Sequence, residues 1–187
     1  MERMKVLIGR PKQTLGILAV VLLAAGVAVG SGAAFTAQTA NPGNSFASGS
    51  LTMSNSKDTV AILSASGMKP GDSTSGTVDI GNTGSLSGTF TLSRTNLTNS
   101  DAANPMSSQM NLVVKDCGNF ASGTPTCDAG DPNVYSGTLD AMSSAVALGT
   151  FAAGEQRRYQ FTATFNSSAG NAYQSDSTTA RFQWDAA

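Results

Sequence analysis

The sequence predicts an all-β protein: an antiparallel β-sandwich, jelly-roll-like, with short helical or irregular insertions. Three observations carry this. Apolar and polar residues alternate over short runs, most clearly at Arg158–Phe165. There Tyr159, Phe161, Ala163 and Phe165 share one face, and Gln160, Thr162 and Thr164 the other. Turn-forming clusters separate such runs: Pro70-Gly71-Asp72, Asn82-Thr83-Gly84 and Ala153-Gly154-Glu155. Beyond residue 33 the chain is rich in Ser, Thr, Gly, Ala and Asn and poor in Lys and Glu, a composition of strands and turns. Many short alternating strands of this kind bury their apolar faces by packing one sheet on another.

The chain divides into a signal peptide (1–33), an extended amino-terminal segment (34–47) and a β-sandwich domain (48–187). Arg3, Lys5, Arg10 and Lys12 precede an uncharged stretch, Thr14 to Gly30, and then the small residues Ser31-Gly32-Ala33-Ala34. Basic, apolar and small residues in that order suit a secretory signal peptide, with cleavage between Ala33 and Ala34. The alternative is a permanent anchor, since Leu15 to Phe35 is about the ~20 residues of a spanning helix. It is rich in Gly and Ala, however, and no basic stop-transfer cluster follows. In both readings the remainder lies outside the cell. Cleavage would leave 154 residues with 7 basic and 11 acidic side chains. That is enough for one domain with a core, and its acidity and lack of a basic cluster argue against a nucleic-acid partner.

Within the domain, Phe46–Met53 reads as a first strand and Thr59–Leu63 as a short buried strand. Gly76–Ile80 and Thr89–Ser93 read as the arms of a hairpin, with Val78, Ile80, Phe90 and Leu92 inward. Residues 95–109 read as a loop with one helical turn near Met106–Met110. Asn111–Lys115 is a strand, Asp128–Asn133 a polar loop, and Val134-Tyr135 resumes a strand. Leu139–Leu148 fits a short helix or a strand. Thr179–Trp184 is the last strand, with Ala180, Phe182 and Trp184 inward.

Cys117 and Cys127 are the two cysteines, and in an exported chain they pair as a local staple. C-x9-C lacks the close spacing of a redox motif. The chain has no histidine, which removes His-based metal sites, Ser-His-Asp triads and Cys-His pairs. Asp128 and Asp131 could offer oxygens to Ca2+, or simply form a solvated turn. No metal or other cofactor is expected. Beyond residue 33 the chain holds a single glutamate, Glu155, and nothing marks a cleft for a carboxylate pair.

Three blocks resemble the TasA/camelysin family of bacterial extracellular proteins, exported with a SipW-type signal peptide. The first is the Gly30–Thr36 junction with Asn41-Pro42-Gly43-Asn44-Ser45-Phe46 and the Gly49-Ser50-Leu51 that follows. The second runs from Met68-Lys69-Pro70-Gly71-Asp72 through Gly81-Asn82-Thr83-Gly84-Ser85-Leu86. The third is Asn171-Ala172-Tyr173-Gln174 with Phe182-Gln183-Trp184. Thr36-Ala37 departs from the acidic start common in the family, the cysteines lie outside its pattern, and residues 95–150 match no part of it.

The resemblance implies a secreted structural protein of the cell surface or biofilm matrix. Such proteins assemble into fibres by donating an amino-terminal strand to a neighbouring subunit. The donor here would be Ala34 to about Asn41, with Phe35, Thr36, Ala37, Gln38 and Thr39 at its centre and Phe35 filling a pocket. The implied partners are further copies of the chain, other matrix proteins and, during export, a signal peptidase. The membrane is met only through the signal peptide. Camelysin-like members are also described as metallopeptidases, and without histidine that property does not transfer residue by residue. The alternatives are therefore a camelysin-type secreted peptidase or a membrane-anchored surface binding module.

Overall fold

The computed structural model describes residues 11–30, 43, 45 and 47–187. The chain forms two compact units, Met1–Phe46 and Ala47–Ala187. The first contains α1 (Pro11–Gly30), which opens on a proline and carries no charge beyond Lys12. Among the described residues no helix is long and apolar enough to cross a membrane. The cleavage pair Ala33 and Ala34 and the donor residues Phe35, Thr36, Ala37, Gln38 and Thr39 lie outside the described residues.

The second unit is the expected all-β antiparallel sandwich. Its strands are β1 (Met53–Asn55), β2 (Ser73–Asn82), β3 (Gly88–Asn99), β4 (Met110–Phe120), β5 (Asn133–Thr138), β6 (Val146–Phe151), β7 (Gln156–Phe165) and β8 (Thr178–Ala186). One sheet has the order β1-β2-β7-β4-β5, the other β6-β3-β8, and each neighbouring pair is antiparallel. The strand with the clearest alternation, β7, lies at the centre of the larger sheet. It pairs with β2 on one side and β4 on the other, and Tyr159, Phe161, Ala163 and Phe165 are buried as its pattern dictates. Facing them are Phe90, Leu92 and Trp184 of the smaller sheet. Phe161 meets Phe182 at 4.7 Å and Trp184 at 6.2 Å between ring centroids, in the tilted and edge-on arrangements that aromatic quadrupoles favour.

The expected hairpin does not form. The strands over Gly76–Ile80 and Thr89–Ser93 belong to different sheets, as β2 and β3. Asn82 causes the crossing. It is buried at the end of β2, its amide donates to the carbonyls of Leu86 and Phe151, and its Oδ1 accepts from the Gly84 N–H. A buried polar residue satisfied on both sides of its amide turns the chain out of one sheet and into the next.

Three other segments also differ. Thr59–Leu63 is not a strand: Thr59 takes φ 62°, Val60 is 60% exposed, and the run crosses the end of the sandwich as an irregular strap. Of the expected strand Phe46–Met53, Phe46 lies outside the described residues, 47–52 are irregular and strand geometry begins at Met53. Leu139–Leu148 is a turn followed by strand from Val146. The helical turn near Met106 is present as a 3-10 turn, Met106–Ser108. Both β3 and β4 run past their expected ends through bulges, at Thr95/Thr98 with Asn96 at φ 50° and at Asp116/Asn119 with Gly118 at φ 97°.

Candidate functional site: an apolar groove beside an open sheet edge

A two-sheet sandwich has four edge strands, and an uncovered edge offers unpaired N–H and C=O groups to another chain. In the smaller sheet the edges are β6 and β8, and the two are treated differently. Arg157 of β7 reaches over to β6, where Nη1 donates to the Leu148 carbonyl at 3.1 Å and Nη2 to the Thr150 carbonyl at 3.0 Å. Its guanidinium lies 4.3 Å from the centre of the Phe151 ring and is held by Glu155 at 2.7 Å and Asp116 at 3.6 Å. Burial alone would lower the Arg157 pKa; the Glu155 hydrogen bond and charge outweigh it and raise the value. The β6 carbonyls are thus capped by a fixed cation.

The β8 edge has no such cap. Among the described residues, its backbone hydrogen bonds all go to β3, and the flanking Ser177 and Ala187 likewise bond the Ser100 and Thr89 ends of that strand. Beside it runs a groove of about 1410 Å³. One wall is the strap, residues 57–70. The other is formed by β8 and the segment before it, and Met110, Leu112, Ala163 and Phe165 contribute apolar surface between them.

Two polar groups on the groove residues are unpartnered. Trp184 is 6% exposed and its indole N–H has no acceptor; Asp176 uses Oδ1 for the Ser100 hydroxyl and leaves Oδ2 without a donor. An unpartnered buried donor is costly, so both groups subtract from the stability of the groove lining.

The cysteines pair as expected, Cys117 with Cys127. The loop they close is tied down by Arg158, which donates to the Pro125 carbonyl at 3.5 Å and grips Asp79 through two bonds of 2.7 and 2.8 Å. The Asp79 hydrogen bonds raise the Arg158 pKa. The turn after Cys127 is closed on itself. Lys115 Nζ donates to the Asp128 and Ala129 carbonyls at 2.8 and 3.0 Å, and Asp131 accepts from the Asp128 N–H at 2.7 Å. Lys115 thus engages two main-chain carbonyls and Asp131 one N–H, which closes the segment as a turn.

Fold and site define a two-sheet antiparallel sandwich that leaves one edge of its smaller sheet open beside an apolar groove. The family model described as camelysin metallo-endopeptidase matches residues 10–144, and the chain belongs to that family; the match includes the first two motif blocks, runs on through residues 95–144, where no likeness was expected, and ends before the third block. No curated protein matches the chain significantly. The family description implies a metal, and the residues present do not fit one. There is no histidine in the sequence, and among the described residues no three His, Cys, Asp or Glu side chains come together.

Sequence reasoning placed Phe182 and Trp184 inward but did not find the groove. Its residues come from the strap, the 3-10 turn, β4, β7 and β8, and only the fold brings them together. The available signal was the strap itself. Ser64-Ala65-Ser66-Gly67 directly after Leu63 is a poor continuation for a buried strand.

Proposed function

We propose that this protein is an exported structural subunit of the bacterial cell surface or biofilm matrix, and that it polymerises by strand donation. Residues 34–41 of one copy lie along the β8 edge of the next. The observation that carries this reading is the contrast between the two edges of the smaller sheet: β6 is capped, and β8 is open beside an apolar groove. The lengths agree. The nine residues of β8 extend roughly 30 Å, and eight donor residues about 26 Å, at ~3.3 Å per residue. The donor also has the right chemistry. Ala34–Asn41 has no charge and no proline, so every residue can join the ladder, and Phe35 supplies an anchor for a groove lined by Met68, Phe165 and Phe182. Signal-peptide cleavage would free this segment, so export would gate assembly.

Electron microscopy of residues 34–187 beside residues 44–187, at rising concentration, tests the proposal. Filaments from the longer chain alone are expected. Filaments from both would move the interface away from residues 34–41, and monomers from both would end the self-assembly reading.

A further inference from the structure

The strap is held in an unusual way. Among the described residues, 61–68 make no hydrogen bond of any kind to the rest of the domain. Ile62, Leu63 and Met68 nevertheless pack against the core. Both ends are fastened. Ser56 exchanges two hydrogen bonds with Asp79, and the Lys57 N–H reaches Asn55 Oδ1. At the far end the Lys69 N–H bonds Asp72 Oδ2, and the Gly71 N–H bonds the Phe165 carbonyl. Thr59 and Gly67 take left-handed φ values of 62° and 64° and bracket the unbonded run; for a β-branched threonine that conformation is strained. A segment fixed at two turns and seated only by apolar contact opens more easily than a hydrogen-bonded one.

Its seat lies on the inner face of the sandwich. The Ile62 carbonyl rests on Gly76 of β2, where a Cβ would collide with it. The strap therefore occupies the end of the groove with apolar side chains but leaves the β8 edge unpaired. A strand added to β8 would satisfy the backbone groups that the strap leaves unpaired and could seat apolar side chains in the same groove, so exchanging one for the other favours the strand.

We infer that residues 57–70 are an intramolecular place-holder for the groove, released when the amino-terminal segment of a second copy adds to β8. This rests on the strand-donation reading above. The strap keeps the free subunit soluble by covering apolar surface, and its release sets the lag before polymer appears.

The test is limited thermolysin digestion of residues 34–187, which retain the whole compact unit 47–187, before and after polymerisation. Mass spectrometry locates the cuts. Cleavage at Ile62 and Leu63 should rise several-fold in the polymer. Polymer with unchanged or reduced cleavage there overturns the place-holder and leaves strand donation standing; absence of polymer overturns both. A second variant probes the seat directly. Gly76→Ala should dislodge the strap and shorten the lag several-fold at equal concentration. A folded Gly76→Ala chain with a longer lag, or no polymer, would make the strap a permanent wall and refute the inference. If that variant does not fold, the wild-type digestion decides.

Discussion

Arg157 on β7 donates to the carbonyl of Leu148 on β6 at 3.1 Å, a bond from the larger sheet to the edge of the smaller one. With its second bond, to Thr150, it fastens the two sheets at one side and blunts an edge strand. The planar fork matters, because two carbonyls and a carboxylate are engaged by one rigid group. Arg157→Ala should destabilise the domain by about 2–3 kcal/mol, and Arg157→Lys by about half as much, since an ammonium cannot reproduce the fork. Urea titration of both variants checks the ranking. Equal stability of the Lys variant and the wild type would show that charge alone suffices.

Tyr159 gives the opposite expectation. Its ring is fully buried against Trp184, 5.2 Å between centroids, but its hydroxyl has no hydrogen bond of good geometry. Burial, then the Asp116 charge, push its pKa well up, so the phenol stays protonated. A buried unpaired hydroxyl costs about 1–3 kcal/mol, so Tyr159→Phe should be neutral or stabilise by about 1 kcal/mol. A loss larger than that, by thermal or urea denaturation, would mean the hydroxyl has a partner in solution.

Acid stability should follow Glu155. Burial would raise its pKa, but the Ala152 N–H at 2.8 Å and the Arg157 guanidinium at 2.7 Å outweigh it and hold the group below its ordinary 4.5. The folded state therefore binds the proton less readily than the unfolded chain. This contribution is complete above the ordinary value and is lost as the pH falls through the lowered folded one. Glu155→Gln should flatten the acid limb of the stability–pH curve while lowering stability at neutral pH. An acid limb as steep as in wild type would assign it to other carboxylates.

Much of the fold was legible because it rests on period two. The alternation at Tyr159–Phe165 is enforced by a sheet buried on one face, and the strand over Thr179–Trp184 follows the same rule. The strap was misread because Val60-Ala61-Ile62-Leu63 is apolar without a period, and such a run does not distinguish a paired strand from a segment laid over the end of a core. The hairpin was misread because Asn82-Thr83-Gly84 signals a turn without saying which sheet the chain enters next. That depends on the amide of Asn82 finding the Phe151 carbonyl, a partner 69 residues away. The groove was not legible at all, since an edge is open only relative to the strands that fail to cover it.

Trp184 is the sole tryptophan of the chain and lines the groove with its indole N–H unpartnered. It is therefore an internal reporter. A strand laid along β8 would change the packing around the ring. Its fluorescence should shift in wavelength or intensity as residues 34–187 polymerise, and stay constant for residues 44–187 at the same concentration. Filaments that leave the emission unaltered would place the contact elsewhere, and the next candidates are β1 and β5, the edges of the larger sheet. The single fluorophore thus separates addition at β8 from addition at any other edge, because Trp184 is the residue of β8 that faces the core most closely and the strand's own side chains carry no second indole.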